Sequence, residues 1–140
     1  MDISSFILGA LSSGVAVAWA KDKLEQNSGN KRRIRETREV LYKDFVNNLM
    51  GFRKGWEDKN KMRQFIFDVN TNATVSTSDE VYRLAKKYIM SFDKKKKVSE
   101  SKRQKIYAQL VIVMRNELNE LSGESPTTLK ESEIEVLQLD

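Results

Sequence analysis

The chain has 140 residues, with 25 Lys and Arg against 20 Asp and Glu for a net charge of +5, and it contains one Pro, no Cys and no His. That length supplies one modest hydrophobic core and no second one. Without Cys and His there are no disulfides, no zinc or iron–sulfur centre, and no nucleophile that depends on a thiol or an imidazole.

The charge is unevenly spread. Residues 1–30 carry a net of −1, residues 31–123 a net of +10, and residues 124–140 a net of −4. A basic middle ahead of an acidic tail points to an anionic partner, either nucleic acid or a lipid surface, or to a tail that folds back over the middle.

From Ile3 to Ala20 no residue is charged. Eighteen residues of helix rise about 27 Å, close to the ~30 Å hydrocarbon layer of a bilayer. The stretch reads as a single-pass anchor within residues 1–25. Trp19 stands where an interfacial aromatic belongs, and Lys21 and Lys23 follow it. Ala10, Gly14 and Ala18 recur every fourth residue, a small-residue face along which two such helices pack into a homo-oligomer. Two other readings remain open. Ala18-Trp19-Ala20 fits a signal-peptide cleavage site, although Met1-Asp2 lacks the positive start such peptides use, and a short apolar segment is also compatible with a buried core helix. For the anchor, Lys31, Arg32, Arg33 and Arg35 add to the positive charge after the span, so residues 21–140 are expected in the cytoplasm with the N-terminus outside the cell membrane.

Gln26 to Asn30 is polar and is expected to break the chain between anchor and domain. A helical bundle is expected over residues 31–122. Ile34, Leu41, Phe45, Leu49, Phe52 and Trp56 form the first apolar stripe, continued by Met62, Phe65, Ile66 and Val69, with a kink or break near 55–60 where Gly51 and Gly55 weaken the helix. Asn70 to Ser76 reads as loop. Thr77 is the expected N-cap of the next helix, with Glu80 completing a capping box, and Val81, Leu84, Ala85, Tyr88, Ile89 and Phe92 form its apolar face. Ser99 or Ser101 caps the last helix, whose stripe is Ile106, Leu110, Val113, Met114, Leu118 and Leu121, ended by Ser122-Gly123. The fold class is therefore all-α: an N-terminal transmembrane helix, then an up-down bundle of three helices, or four if the first splits. Residues 123–140 form an acidic tail, expected to be flexible with occasional docking.

One spacing resembles a ligand site. Along Asp68–Asp79, oxygen-bearing side chains fall where the EF-hand calcium loop has them, which makes Asp68, Asn70, Asn72, Ser76 and Asp79 candidate metal ligands. Ala73 stands where that loop needs Gly, and Asp79 where it needs the longer Glu. An Asx- and Thr-rich connection explains the same residues. No bound cofactor is expected. No phosphate-binding, dinucleotide or nucleophile motif is present, and Glu57/Asp58 and Asp79/Glu80 diverge on a helix instead of converging on one bond, so the chain does not read as an enzyme.

The basic residues form two candidate sites. Lys31, Arg32, Arg33 and Arg35 would lie beside the membrane and attract anionic lipid. Lys94, Lys95, Lys96, Lys97, Lys102 and Arg103, with Lys86, Lys87 and Lys105 nearby, make a second cluster for lipid or nucleic acid, without the interleaved aromatics of a single-strand binder. With Ser78-Asp79-Glu80-Val81 opening one helix and Val113-Met114-Arg115-Asn116-Glu117-Leu118 within the last, the pattern resembles small bacterial membrane-anchored helical proteins. That resemblance implies the anchor and the bundle but no activity. The sequence thus reads as a membrane-tethered interaction module, an adaptor, sensor or accessory subunit of the kind found in bacterial stress or antiviral systems. A binder of nucleic acid or anionic lipid is the alternative, and a degenerate calcium site the second.

Overall fold

The computed structural model describes residues 15–137, with side chains from residue 29 to 137, and among these residues there are helices and no strand. The expected anchor falls mostly outside that range: Ala10 and Gly14 lie beyond it, and of Ala18, Trp19, Lys21 and Lys23 only the helical backbone is described. No helix among the described residues is long and apolar enough to cross a membrane.

The first helix, α1, runs Val15–Leu49. It passes through residues 26–30 as helix, so the expected polar break does not interrupt the backbone. The reason is local. Gly29 costs about 1 kcal/mol of helix propensity, less than the cost of ending one helix and nucleating another. Two units divide the chain by their internal contacts, residues 1–33 and 34–140. The described part of the first is α1 helix.

After Leu49 the chain tightens into a 3₁₀ turn, Met50–Phe52, and α1 ends there. Gly51 makes this turn feasible. A Cβ on it would stand 2.6 Å from Lys61 Cβ and 2.9 Å from the Asp58 carbonyl oxygen, so only glycine fits. The Asp58 N–H donates to the Gly51 carbonyl at 3.0 Å, and the Asp58 carboxylate accepts from Asn60 N and Lys61 N, capping α2 (Lys59–Asn70). A five-residue helix α3, Asn72–Ser76, occupies most of the stretch expected to be loop. Thr77 does not cap the helix that follows. Its hydroxyl donates back to the Ala73 carbonyl at 2.7 Å, and Ser78 accepts from Val81 N to start α4, Asp79–Met90. A second 3₁₀ turn, Lys94–Lys96, is capped by Asp93, and Ser99 caps α5, Glu100–Leu121. Gly123, with φ +71°, turns the chain out of α5 in the left-handed conformation that glycine adopts without steric cost.

The core joins one face of each helix. Phe45 and Leu49 of α1, Phe65 of α2, Val81 and Ala85 of α4 and Leu110 of α5 are all fully buried. An aromatic chain runs through it. Phe65 meets Phe45 at 5.1 Å and Phe52 at 5.7 Å, both edge to face, and Phe52 continues to Tyr88 at 5.7 Å. The expected stripes supply most of this core, but Ile34 and Trp56 at the ends of the first stripe are 42% and 53% exposed. A polar seam joins α1 to α5: the Tyr42 hydroxyl donates to the Glu117 carboxylate, and the Arg38 guanidinium stands 3.9 Å from the same oxygen.

The acidic tail is not free over its described length. Ile134 and Val136 pack on the core, Gln104 Nε2 donates to the Ile134 carbonyl at 2.8 Å, and Thr127 N donates to Asn116 Oδ1 at 2.8 Å. The alternation of Ile134, Glu135 and Val136 explains the docking: apolar side chains at every second position reach α5 while the glutamate between them stays in water.

Phe65→Ala removes the ring shared by two edge-to-face contacts and should cost about 3–5 kcal/mol in urea unfolding, with the slope of the transition unchanged. Burial, and for Tyr42 also the hydrogen bond to Glu117, hold the Tyr42 and Tyr88 hydroxyls above the ordinary tyrosine value. The folded chain therefore keeps protons that the unfolded chain loses near pH ~10, so this stability is complete below that pH and falls above it. Thermal melts across this range should show the decline, and the Tyr42→Phe/Tyr88→Phe double variant should decline less steeply.

Candidate anion-binding groove

The second half of α4 lays Arg83, Lys86, Lys87 and Met90 at i, i+3, i+4 and i+7, which is one face of a helix. Lys102 and Ile106 face them from α5, and Lys96 and Val98 close one end from the turn between the helices. Together with Ser91 these residues line a groove of about 400 Å³. Its chemistry is one-sided: five cations, Arg83, Lys86, Lys87, Lys96 and Lys102, and no carboxylate. All five are exposed. The floor between them is apolar, made by Met90, Val98 and Ile106, of which Met90 is 40% exposed.

Local sequence explains why cations tolerate this crowding. Lys87 lies in the last turn of α4, at the negative end of the helix dipole, where a positive charge is favoured. Asp93 caps the 3₁₀ turn through Lys95 N at 3.0 Å, and Lys97 takes the left-handed conformation at φ 48°, which reverses the chain into α5. Lysine stems cover the apolar floor while their ammonium groups stay in water. The arrangement sets positive charge around an apolar floor.

The structure separates the expected basic residues. Lys96 and Lys102 line the groove; Lys94, Lys95 and Lys97 are exposed on the adjoining loop without lining it. Arg103 is turned away, its guanidinium 4.7 Å from the Phe92 ring centroid and donating to the Val98 carbonyl at 3.3 Å. Lys31, Arg32 and Arg33 are exposed on α1 in the first unit. Arg35 serves the fold: it pairs with Glu39 at 2.6 Å and donates to Ser122 Oγ. Hydrogen bonds from Lys43 and then Arg35 hold the Glu39 carboxyl below the ordinary glutamate value. Arg83 is the residue that sequence reasoning missed. Its signal was the i, i+3, i+4 spacing with Lys86 and Lys87 on a helix face, which a search for consecutive lysines passes over.

The candidate calcium ligands are not presented as a loop. Asp68 is buried in α2 and its Oδ1 accepts from Gln64 Nε2 at 2.9 Å. Asn70 ends α2, Asn72 opens α3, Ser76 ends α3 and Asp79 opens α4. A short helix thus stands where an EF-hand needs an open ring of oxygens, and Ala73, in the place of the turn-forming Gly, is buried in the core instead. Among the described residues no group of three acidic side chains is placed to hold a metal ion.

Lys97→Gly relieves a left-handed non-glycine residue and should raise the unfolding free energy by up to about 1 kcal/mol in urea titrations. No protein-family model, curated protein or solved structure matches this chain, so its function is argued from the groove itself.

Proposed function

We propose that this chain is a membrane-tethered, non-catalytic helical module whose α4–α5 groove seats on anionic lipid headgroups. The observation that carries the reading is the groove's lining, five cations over an apolar floor with no carboxylate among them. Cations near a lipid surface gain about 1 kcal/mol each from anionic headgroups. The floor favours lipid over nucleic acid, because Met90 and Val98 can enter the space between headgroups, whereas a phosphodiester backbone offers them nothing apolar to cover. No aromatic lines the groove, and Phe92, next to Ser91 in sequence, lies beneath Arg103. The uncharged stretch 3–20 and the basic residues that follow it support tethering to the same membrane, and Ala10, Gly14 and Ala18 support pairing of two such segments.

The test uses the full chain with anionic and neutral vesicles, reading the difference between the two. Lys86→Gln/Lys87→Gln/Lys102→Gln should reduce the preference for anionic vesicles about a hundred-fold, at about 1 kcal/mol per charge, and added salt should erode what remains. Equal binding to both vesicle types, or a preference the triple variant leaves intact, overturns the lipid reading. Variant-sensitive binding to duplex DNA in preference to vesicles replaces lipid with nucleic acid. Deleting residues 1–20 should move the protein from the carbonate-resistant membrane fraction to the soluble one; retention in the membrane refutes the tether.

A further inference from the structure

A second hollow, independent of the α4–α5 groove, lies beneath the docked tail. It is assembled from three distant segments: Arg53, Lys54 and Gly55 after the first 3₁₀ turn, Glu100 and Gln104 of α5, and the tail residues Glu131, Ser132, Ile134, Glu135 and Val136. Its volume is about 690 Å³, within the usual range for a small-molecule site.

Arg53 is its unusual member. Its backbone is fixed by the N–H donated to Met50 O at 3.1 Å, and its guanidinium lies over the Tyr107 ring at 4.3 Å. Among the described residues, Nε and Nη2 are buried and have no hydrogen-bond partner. Leaving charged N–H groups buried and unsatisfied is costly, and the edge formed by these two nitrogens is the one that grips a carboxylate or phosphate through two parallel hydrogen bonds. Tyr107 occupies one face of the guanidinium, which leaves that edge as its means of recognition. Around it stand Glu100, Glu131 and Glu135, none of them paired with Arg53. A lone anion would meet these three carboxylates, and a lone cation would meet Arg53 and Lys54. A molecule with an anionic group at one end and an ammonium at the other satisfies both.

We infer that this hollow is a binding site for a small zwitterion, its phosphate or carboxylate held on the Nε–Nη2 edge of Arg53 and its ammonium facing Glu100, Glu131 and Glu135. Both nitrogens are shielded, so the entering molecule must shift a wall of the hollow. The tail is one such wall, held to the core by the Gln104 and Asn116 hydrogen bonds and by the half-buried Ile134 and Val136.

The probe is O-phosphoethanolamine, titrated calorimetrically into the full chain, with inorganic phosphate and ethanolamine as its two halves. The zwitterion should bind at least about ten-fold more tightly than either half. Arg53→Lys keeps the charge but loses the two-pronged edge, and should weaken binding about ten-fold or more. Glu131→Gln/Glu135→Gln changes two side chains that make no hydrogen bond or ion pair among the described residues and should bring the zwitterion's affinity down to that of phosphate. A zwitterion that binds no better than its halves, or an Arg53→Lys variant that binds as tightly as the parent, overturns the site. Neutral vesicles of phosphatidylcholine with and without phosphatidylethanolamine separate the sources. Competition by the ethanolamine lipid assigns a headgroup, and its absence assigns a free solute. Because these vesicles carry no net charge, the outcome is independent of the anionic groove.

Discussion

Phe65 is the point on which the helices converge. Its ring packs edge to face with Phe45 from α1 and with Phe52 from the 3₁₀ turn, and through Phe52 the contact reaches Tyr88 of α4. Edge-to-face pairs are directional, so they specify angle as well as proximity. That chain of rings holds α2 and the turn against α4, and α4 in turn packs on α5. The basic groove and the hollow at Arg53 both depend on it. The first is the outer surface of the α4–α5 pair, and the second begins one residue after Phe52.

Much of this was legible in the sequence, for a clear reason. Apolar residues at helical spacing marked Leu41, Phe45, Leu49, Phe65, Val69, Val81, Ala85, Tyr88, Ile106, Leu110 and Met114, and all of them are buried. A break near 55–60 was expected from Gly51 and Gly55; α1 ends earlier, at Leu49, and residues 50–58 separate it from α2. What periodicity could not supply was the competition between neighbouring hydroxyls. Thr77 and Ser78 are both capable caps; Ser78 takes the role because the Thr77 hydroxyl is satisfied by the last turn of α3. That short helix was itself hidden. Its residues have weak helix propensity, and it forms because burying Ala73 among the core side chains outweighs local preference.

The binding surface was half legible. Consecutive lysines drew attention to residues 94–97, yet a run of like charges on a tight turn points its side chains in several directions, and only Lys96 of the four lines the groove. The cations that converge come from helix faces, where spacing and not adjacency brings them together. Arg53 was hidden for a different reason. Its significance arises from Tyr107, which is distant in sequence, and from a tail whose acidic composition suggested solvation more than docking. Linear patterns report the periodicity of one element; a site made from three elements becomes visible only when they are packed.

The clearance at Gly51 reaches beyond the turn it permits. Gly29 has nothing within 4 Å of where a side chain would begin, while Gly51 has two atoms closer than 3.0 Å. Sequence drift would accordingly treat the two glycines in opposite ways. Alanine at 29 is a gain for the helix, whereas at 51 even a methyl group prises α2 from its seat. A descendant of this chain that had lost the second glycine would need a different path between its first two helices, and with it a different pocket floor.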